Sequence, residues 1–501
     1  MKFLYFVLIV CTILGTDACS YHVSGLSEQL EQREYDTGSS MDSSVHEQKE
    51  KGEPPLVEES PPENLPSTWV RQTNSLTTHI ADIAIDSKGN ILITGSFDEY
   101  VELGNFKLKP KMKLKNQMEI FIAKLSPKGQ WLWAKRAGGL YSDFGSGIAV
   151  DSQDNVFVTG SFQVKADFGK STHTGVGKSD IFIAKLNSAG NWLWSKSAGS
   201  KQNDGGSDIA VDHEGSVFVV GSFGGLLEFG GMKITPKQKN GDVFIAKLTA
   251  DSRLLWIRQV EGKSGPRLAL DQAGNAFITG AFASSIRFGH LVLKAAGEGD
   301  VFVSKLSGKG EWLWAKSTTS KKYAVATSIA VGPNGNVAIA GVFLGVVHFG
   351  TITLKSRGYS STQNFAPDAF VAKLNSKGEW VWVRSAGSKE SDGVEDVIVD
   401  KQENVFLTGY FFDSAEFGGT RLSSKGGSDI FLSKLDRNGK WLWSKRAGSL
   451  ENDHGYCVAL GQKSHLITAG GFEDKADFGD VVLSLKPTSR GESYVWKVRK
   501  P

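Results

Sequence analysis

The chain has few of the residues that build disulfide-rich or metal-stapled proteins. It contains three cysteines in 501 residues, and that count excludes a disulfide framework. Its nine histidines are scattered without the spacing of a zinc site. Neither a GxSxG elbow nor a phosphate-binding glycine loop occurs. The sequence therefore predicts no catalytic residues, no metal and no cofactor, and function must be sought in the architecture.

Long apolar runs are also missing, except for a short one at the N-terminus. Lys2 precedes the apolar run 3–14, and small residues follow it up to Ala18. This pattern predicts an export signal over residues 1–18, because the run is too short to span a bilayer. Cys19 stands where a bacterial lipoprotein signal places its lipid-accepting cysteine, although polar residues precede it. We expect an exported, lipid-anchored protein of the bacterial outer membrane, cell surface or periplasm; cleavage after Ala18 without lipidation is the alternative.

Residues 19–65 differ in composition from the rest of the chain. They are rich in Glu, Ser, Gln and Pro, and residues 20–65 hold eleven Asp and Glu against three Lys and Arg. This composition predicts a disordered acidic tether. Residues 66–501 then hold 53 basic and 42 acidic residues, so the formal charge of +3 combines an acidic tether with a basic body.

Three sequence landmarks recur seven times in residues 66–501, at intervals of 58 to 68 residues. The aromatic residue of an "FIAKL" element falls at Phe121, Phe182, Phe244, Phe302, Phe370, Phe431 and Tyr494. A "GSF" element ends at Phe97, Phe162, Phe223, Phe282, Phe343, Phe411 and Phe472. The second Trp of "WLW" falls at Trp133, Trp194, Trp256, Trp314, Trp382 and Trp443, with Trp69 in front.

Each repeat contains four short β-type runs, as in "GIAVD", "NVFVTGSF", "DIFIAKL" and "WLWAKR". Tight Gly- and Asn-rich connections join the first run to the second and the third to the fourth. No amphipathic helical period interrupts them. Four antiparallel strands in each of seven repeats predict an all-β fold, a single seven-bladed β-propeller. Small residues such as Ala84 in the first run and Trp in the fourth fit blades that splay from axis to rim, so we expect the Trp pairs to pack between blades.

The repeats begin and end out of phase. The last copy, "SYVWKV" at 493–498, lacks its Trp run, and the first Trp run, "STWVRQTNS" at 67–75, has no "FIAKL" before it. We expect the N-terminal run to supply the missing fourth strand of the last blade. Such a closure removes the open sheet edge that would otherwise invite aggregation.

These repeats resemble the bacterial seven-bladed β-propeller repeat family, whose units read like "GIAVDSxGNVFVTGSF…DxFxAKLxxxGxxLW". The resemblance covers about residues 66–498 and departs from the usual unit in a longer stretch between "GSF" and "FIAKL". It implies an exported or surface protein of bacteria, and it implies no particular activity.

In this topology the second-to-third and the repeat-to-repeat connections share one face, here called the long-connection face. Basic residues on it predict a positive field that attracts an anionic polymer; the alternative is a solvated, soluble rim. The candidate binding residues are Lys107, Lys109, Lys111, Lys113, Lys115, Lys233, Lys237 and Lys239. Specific nucleic-acid binding is not expected of an exported protein.

Other recurring residues on this face are interpreted as structural. An "FG" pair recurs in the second-to-third connections and predicts a turn. Asp143, Asp204, Asp392 and Asp453 precede or neighbour glycine and predict turns, with calcium as the alternative.

The predicted function is a monomeric binding scaffold for a protein, a glycan or an anionic envelope polymer, tied to the membrane only by its lipid. The runner-up is an enzyme acting on extracellular polysaccharide, a hydrolase or lyase, which a non-repeating cluster of His, Tyr, Asp or Glu would favour. A structural envelope component without a ligand is a third possibility. One local break in the repeat brings His454 and Cys457 close in sequence, which we interpret as packing rather than as a nucleophile–base pair.

Overall fold

The computed structural model describes residues 67–111, 117–262, 265–358, 366–462, 465–486, 489 and 491–498. All named elements in these ranges are β-strands, and their pairings are antiparallel, which confirms the predicted all-β class. Asn64–Pro501 forms one compact unit. The predicted signal (1–18) and tether (19–65), with Cys19, lie outside the described residues. No helix in the described ranges is able to cross a membrane.

The strands follow one another closely along the chain. The first ten are β1 (Ser67–Gln72), β2 (Asn74–Ile85), β3 (Ile91–Leu103), β4 (Phe106–Leu108), β5 (Met118–Leu125), β6 (Trp131–Gly139), β7 (Phe144–Val150), β8 (Val156–Phe162), β9 (Lys165–Phe168) and β10 (Ser171–Thr174). The next ten are β11 (Asp180–Leu186), β12 (Trp192–Ala198), β13 (Asp204–Val211), β14 (Val217–Phe223), β15 (Leu227–Phe229), β16 (Met232–Ile234), β17 (Asp242–Leu248), β18 (Leu254–Glu261), β19 (Arg267–Leu270) and β20 (Ala276–Phe282).

The second half continues in the same rhythm. It contains β21 (Ser285–Phe288), β22 (Leu291–Lys294), β23 (Asp300–Leu306), β24 (Trp312–Ser317), β25 (Thr319–Ser320), β26 (Tyr323–Val331), β27 (Val337–Leu344), β28 (Val346–Phe349), β29 (Ile352–Lys355) and β30 (Asp368–Leu374). The last ten are β31 (Trp380–Ala386), β32 (Gly393–Val399), β33 (Val405–Phe417), β34 (Thr420–Leu435), β35 (Trp441–Ala447), β36 (His454–Leu460), β37 (Leu466–Phe472), β38 (Lys475–Asp477), β39 (Val482–Ser484) and β40 (Glu492–Val498).

Hydrogen bonding groups these strands in fours, in the order that the repeat predicts. We number the groups as units 1 to 7: β2-β3-β5-β6, β7-β8-β11-β12, β13-β14-β17-β18, β19-β20-β23-β24, β26-β27-β30-β31, β32-β33-β34-β35 and β36-β37-β40-β1. The first strands of consecutive units contact one another, and β36 of unit 7 contacts β2 of unit 1. The long-connection face of each unit therefore lies beside that of its neighbours.

The second-to-third connection of each unit forms a β-hairpin of its own, which the sequence did not predict. The "FG" pair, which is Leu103-Gly104 in unit 1, makes the turn, as expected, and its glycine has a positive φ, as at Gly104 (φ 60°). A Cβ on Gly104 would lie 2.8 Å from the ring of Trp131, so the turn lies against the first Trp of its own unit. Side chains larger than hydrogen do not fit there.

The second Trp of each "WLW" packs between units, as predicted. Trp133 donates a hydrogen bond from Nε1 to the carbonyl of Ser188 in the third-to-fourth turn of unit 2, at 3.1 Å. Trp69 in β1 makes the same bond to Pro127 of unit 1. Ala84 packs against an apolar cluster that units 1 and 2 form together, so its small side chain lies between neighbouring units.

The lysine of "FIAKL" is buried, a feature that the sequence did not predict. Lys124 Nζ lies 2.7 Å from Asp86 Oδ2, and the two side chains are 5% and 0% exposed. Lys124 also donates to the carbonyl of Ser188 in the next unit. The same pairing recurs at Lys185–Asp151, Lys247–Asp212 and Lys305–Asp271. In unit 5 the acid comes from the following unit, because Lys373 pairs with Glu403 in the first turn of unit 6. These ion pairs tie a third strand to the first turn of its own unit or of the next one.

Candidate binding surface

The predicted basic residues lie on the connections of units 1 and 3, and several of them pair with acids. Lys107 pairs with Glu102 across its hairpin and lies over the ring of Tyr100. Lys111 pairs with Asp167 of unit 2. The face thus carries mixed charge at these positions.

The remaining predicted lysines differ in whether they form ion pairs. Lys233 lies 2.5 Å from Glu228 across its own hairpin. Lys109, Lys237 and Lys239 are exposed and make no ion pair with the described residues. Lys113 and Lys115 lie outside the described residues. A uniformly positive field over this face stays a prediction.

One geometry recurs in every second-to-third connection, just before the third strand. The acidic residue that opens the third strand accepts a hydrogen bond from a backbone N–H in the connection, as Asp429 does from Lys425 at 3.2 Å. The donors are Lys111, Val176, Lys237, Ala296, Arg357, Lys425 and Lys486. These seven positions are therefore structurally equivalent, although the connections differ in length.

Three of the equivalent side chains reach across to the hairpin of the next unit. Lys425 Nζ lies 2.8 Å from Asp477 of unit 7, and Lys486 Nζ lies 3.2 Å from Glu102 of unit 1. The Lys111–Asp167 pair joins units 1 and 2 in the same way. At these junctions a lysine of the chain itself therefore occupies the space beside the acid of the following hairpin.

The junction between units 2 and 3 has an apolar side chain at this position. Val176 is 68% exposed there, and Leu226 from the unit 3 connection is 50% exposed. Both line a groove of about 510 Å³, together with Ala198, Ser200 and Glu228. Thr174, Asp180, Ser197, Gly199, Lys201, Gln202, Gly224 and Gly225 complete the lining. The groove lies on the described part of the long-connection face, and no sequence motif predicted it.

The seam beneath this groove is weaker than its equivalents. Elsewhere the hairpin of one unit pairs with the end of the previous fourth strand, as Gly448 and Asp477 do through two bonds of 3.1 and 2.9 Å. At the groove a single long bond remains, from Glu228 N to Gly199 O at 3.5 Å. The hairpin β15–β16 is thus held loosely against unit 2, which leaves room for the groove.

Val164, in the second-to-third connection of unit 2, is a further exposed apolar side chain, and its backbone conformation is costly. It has φ 58° and is 46% exposed, and its carbonyl accepts a bond from Gly175 N at 2.8 Å. The equivalent turn residue is also left-handed in other units, as at Glu99 and Asp474. A β-branched residue is strongly disfavoured in that conformation, so an exposed valine there is not explained by folding alone.

The Asp residues of the repeat-to-repeat connections make turns, as predicted. Asp143 is fully buried and accepts bonds from the backbone N–H of Gly139 and Gln163. Burial raises the pKa of Asp143 to about 7. Asp392 and Asp453 accept equivalent bonds, and burial raises their pKa values to about 8 and about 7. Their oxygens are thus engaged by the backbone.

The first strands bring together acidic residues that the sequence did not single out. The carboxylate of Asp82 accepts two backbone hydrogen bonds, one from the N–H of the adjacent Ile83 at 2.7 Å and one from the N–H of Ile148 in the next unit at 2.8 Å. Asp208 and Asp396 do the same in units 3 and 6. A β-bulge in these strands, between Ile80 and Asp82 in unit 1, frees the N–H groups that the carboxylates bind. These aspartates therefore join neighbouring units.

The carboxyl group of Glu395, also in the first strand of unit 6, does not join neighbouring units in this way. Glu395 has no hydrogen bond to the described residues. Burial raises the pKa of Glu395 to about 7, although the positive charge of Arg267 acts to lower it. His79 lies near Tyr456, with ring centroids 4.6 Å apart. Glu395, His79 and Tyr456 lie in the first strands of units 6, 1 and 7, and side chains of these kinds can serve in an enzyme site.

The His454–Cys457 segment forms no nucleophile–base pair. His454 contacts Ser428 Oγ at 3.0 Å and stacks on Tyr410. Cys457 is buried and donates to the carbonyl of Ala469 at 3.8 Å. Burial raises the pKa of its thiol well above the usual value, which disfavours the reactive thiolate. Both residues serve packing, as the sequence suggested.

Known proteins resemble parts of this chain, and one of the matches is to a repeat family. Residues 132–161 match the family described as SBBP, beta-propeller repeat. A stretch of 157 residues is 31% identical to the uncharacterized WD repeat-containing protein L264 of Acanthamoeba polyphaga mimivirus, covering 28% of this chain and 11% of that protein. Regulatory protein FlaEY of Caulobacter vibrioides is 30% identical over 162 residues, covering 31% of this chain and 16% of that protein.

Two solved structures show likeness at low identity. Sqt1 from Chaetomium thermophilum aligns with a TM-score of 0.44 and 8% identity, over 88% of this chain and all of that one. A protein of unknown function from Bacteroides caccae aligns with a TM-score of 0.36 and 12% identity, over 65% of this chain and 89% of that one. These likenesses concern the fold alone.

Proposed function

We propose that this chain of beta-propeller repeats is an exported, lipid-anchored scaffold that binds a protein partner through its long-connection face. The seven units are the blades of one propeller, closed by β1 in the last blade. The order of first-strand contacts from β2 to β36 and back to β2 supports closure. So does an apolar cluster that joins Trp69 and Ile80 to Cys457 and Val495.

The groove between units 2 and 3 is the observation that carries the binding function. Val176 and Leu226 expose apolar surface in it, and exposed apolar surface on a rigid scaffold marks an interaction site. The ion pairs of Lys107, Lys111 and Lys233 reduce the positive field that an anionic polymer would require. A protein partner therefore fits this face better than a polyanion does. The name of one relative, a regulatory protein, is compatible with such a role.

An extracellular polysaccharide-acting enzyme is the second candidate, because Glu395 has the raised pKa of a general acid. Glycoside hydrolysis commonly uses two carboxyl groups. In this cluster Asp82, Asp208 and Asp396 already bind backbone N–H groups. Glu395 therefore has no second carboxyl group beside it in this cluster that is free of such bonds, among the described residues, and we infer binding rather than catalysis.

The lipid anchor depends on Cys19, which directly follows the predicted signal (1–18). Cys19→Ser should move the protein from the detergent phase to the aqueous phase in a detergent-partition experiment. Its accumulation in the membrane fraction of the producing bacterium should be lost as well. Unchanged recovery in the detergent phase would contradict the anchor.

Site-specific photo-crosslinking in living cells tests the binding face. A photoreactive amino acid at Tyr141 or Val292, both exposed on the long-connection face, should yield protein adducts of defined mass. The same amino acid at Lys88 or Lys377, on the tight turns of the opposite face, is the matched control and should yield none. Equal adducts from both faces, or none from either, would contradict the proposal.

A further inference from the structure

We propose that the groove between units 2 and 3 binds a lysine side chain of the protein partner, in the space that a lysine of this chain occupies at other junctions. This inference rests on the proposed function and names the chemistry that the partner presents. Its aliphatic stem would pack on the apolar wall, and its ammonium group would lie at Glu228.

The template for this site is the junction between units 7 and 1. There Glu102 receives two lysines: Lys107 from its own hairpin and Lys486 from the preceding unit. Glu228 is the equivalent acid in unit 3, because it pairs in register with Lys233 as Glu102 does with Lys107. It therefore has one of the two partners that Glu102 has.

Glu228 lacks a second lysine because the equivalent position in unit 2 holds a valine. Val176 stands where Lys486 stands in the template, since both donate their backbone N–H to the acid that opens the third strand. A valine cannot reach the next hairpin or supply charge. The consequence is a groove with an apolar wall, formed by Val176 and Leu226, and a carboxylate, Glu228, among its lining residues.

The chemistry of this lining suits a lysine better than a purely apolar ligand or an anion. Lysine packs its methylene stem on apolar surface while its ammonium group stays hydrated and paired. Asp180 lines the groove as a second acid, already bonded to the backbone of Val176 and Gly177. Lys201 is the one cation among the lining residues. The Lys201→Ala variant below tests whether it contributes to binding.

The test is a methyl NMR titration of the full chain, read at Leu226, with a blocked pentapeptide that carries one central lysine. Wild type should show saturable shifts. The same peptide with acetyl-lysine keeps the stem and loses the charge, and it should bind about two- to fivefold more weakly, the range that exposed ion pairs give. Equal affinity for the two peptides would overturn the inference.

Three variants locate the site. Val176→Lys introduces the lysine found at four of the six equivalent positions and should weaken peptide binding about tenfold by occupying the groove, with the fold kept. Glu228→Gln should weaken binding about two- to fivefold. Glu416→Gln is the matched control, since Glu416 holds the equivalent hairpin position in unit 6, and its affinity should equal that of wild type. Unchanged affinity in Val176→Lys would overturn the inference.

Lys201→Ala distinguishes a cationic from an anionic occupant. It should leave the affinity for the lysine peptide unchanged or higher, because a like charge is removed. Loss of binding in this variant would mean that Lys201 holds the ligand, and the inference would be wrong. If the peptide behaves as expected while photo-crosslinking yields no partner, the groove is a lysine site and the scaffold proposal fails. Adducts without lysine-peptide binding would reject the groove proposal alone.

Discussion

Replacing Trp69 by Ala should lower the free energy of unfolding by about 3–5 kcal/mol, the usual effect of removing a buried aromatic side chain. Trp69 is 8% exposed, and its Nε1 donates to the carbonyl of Pro127 in unit 1 at 3.1 Å. The variant leaves a cavity between units 7 and 1 and removes one of the two hydrogen bonds that the Pro127 carbonyl accepts, the other coming from Lys497. Denaturant unfolding of the full chain measures the loss.

Trp133→Ala is the matched control for this effect. Trp133 makes the same bond to the next unit but lies inside the repeats, far from either end of the chain. If β1 is an integral fourth strand, the two variants should lose comparable stability, whereas Thr68→Ala, on the exposed side of β1, should lose little. A stable Trp69→Ala beside a destabilised Trp133→Ala would show that β1 is dispensable.

Lys124→Ala should destabilise the chain by about 3–5 kcal/mol, because breaking a buried ion pair leaves a buried charge without its partner. Burial by itself would raise the pKa of Asp86, and its bonds to Lys124 and Asn90 hold that pKa below its usual range. Removal of Lys124 also ends its bond to Ser188 of unit 2. Denaturant unfolding at neutral pH measures the effect.

A double variant separates the ion pair from packing. Lys124→Met with Asp86→Asn removes both charges and keeps the volume, so it should recover most of the stability that Lys124→Ala loses. Lys128→Ala, at an exposed lysine in a neighbouring turn, should unfold like wild type. If Lys124→Ala also unfolds like wild type, the buried pair contributes nothing to the ring of contacts between units.

The strands were predictable because the repeat carries strong local signals. Runs such as "NVFVTGSF" and the glycine of the "FG" turn follow from β-propensity and backbone conformation within a few residues. The bulge between Ile80 and Asp82 was not predictable, because it depends on a carboxylate that bonds the next unit. The buried role of Lys124 was missed for a similar reason. Its recurrence in an apolar run was the available signal.

The groove could not be predicted from the sequence of a single repeat, because the side chains that meet at each junction come from two different units. Lys111 and Asp167, or Lys425 and Asp477, lie 56 and 52 residues apart. The connections vary in length, so Val176 aligns with these lysines only through the shared backbone bond to the third strand. Comparing all seven connections from that acid backwards would have shown Val176 and Ala296 as the two positions without a basic side chain.

The measurement that tests the central claim most directly is an experimental density map of the full chain, viewed along the axis of the repeats. The account predicts seven four-stranded blades in one closed ring, with β1 paired to β40 and Trp69 packed on unit 1. A gap between units 7 and 1, a different number of blades, or β1 detached from β40 would contradict it.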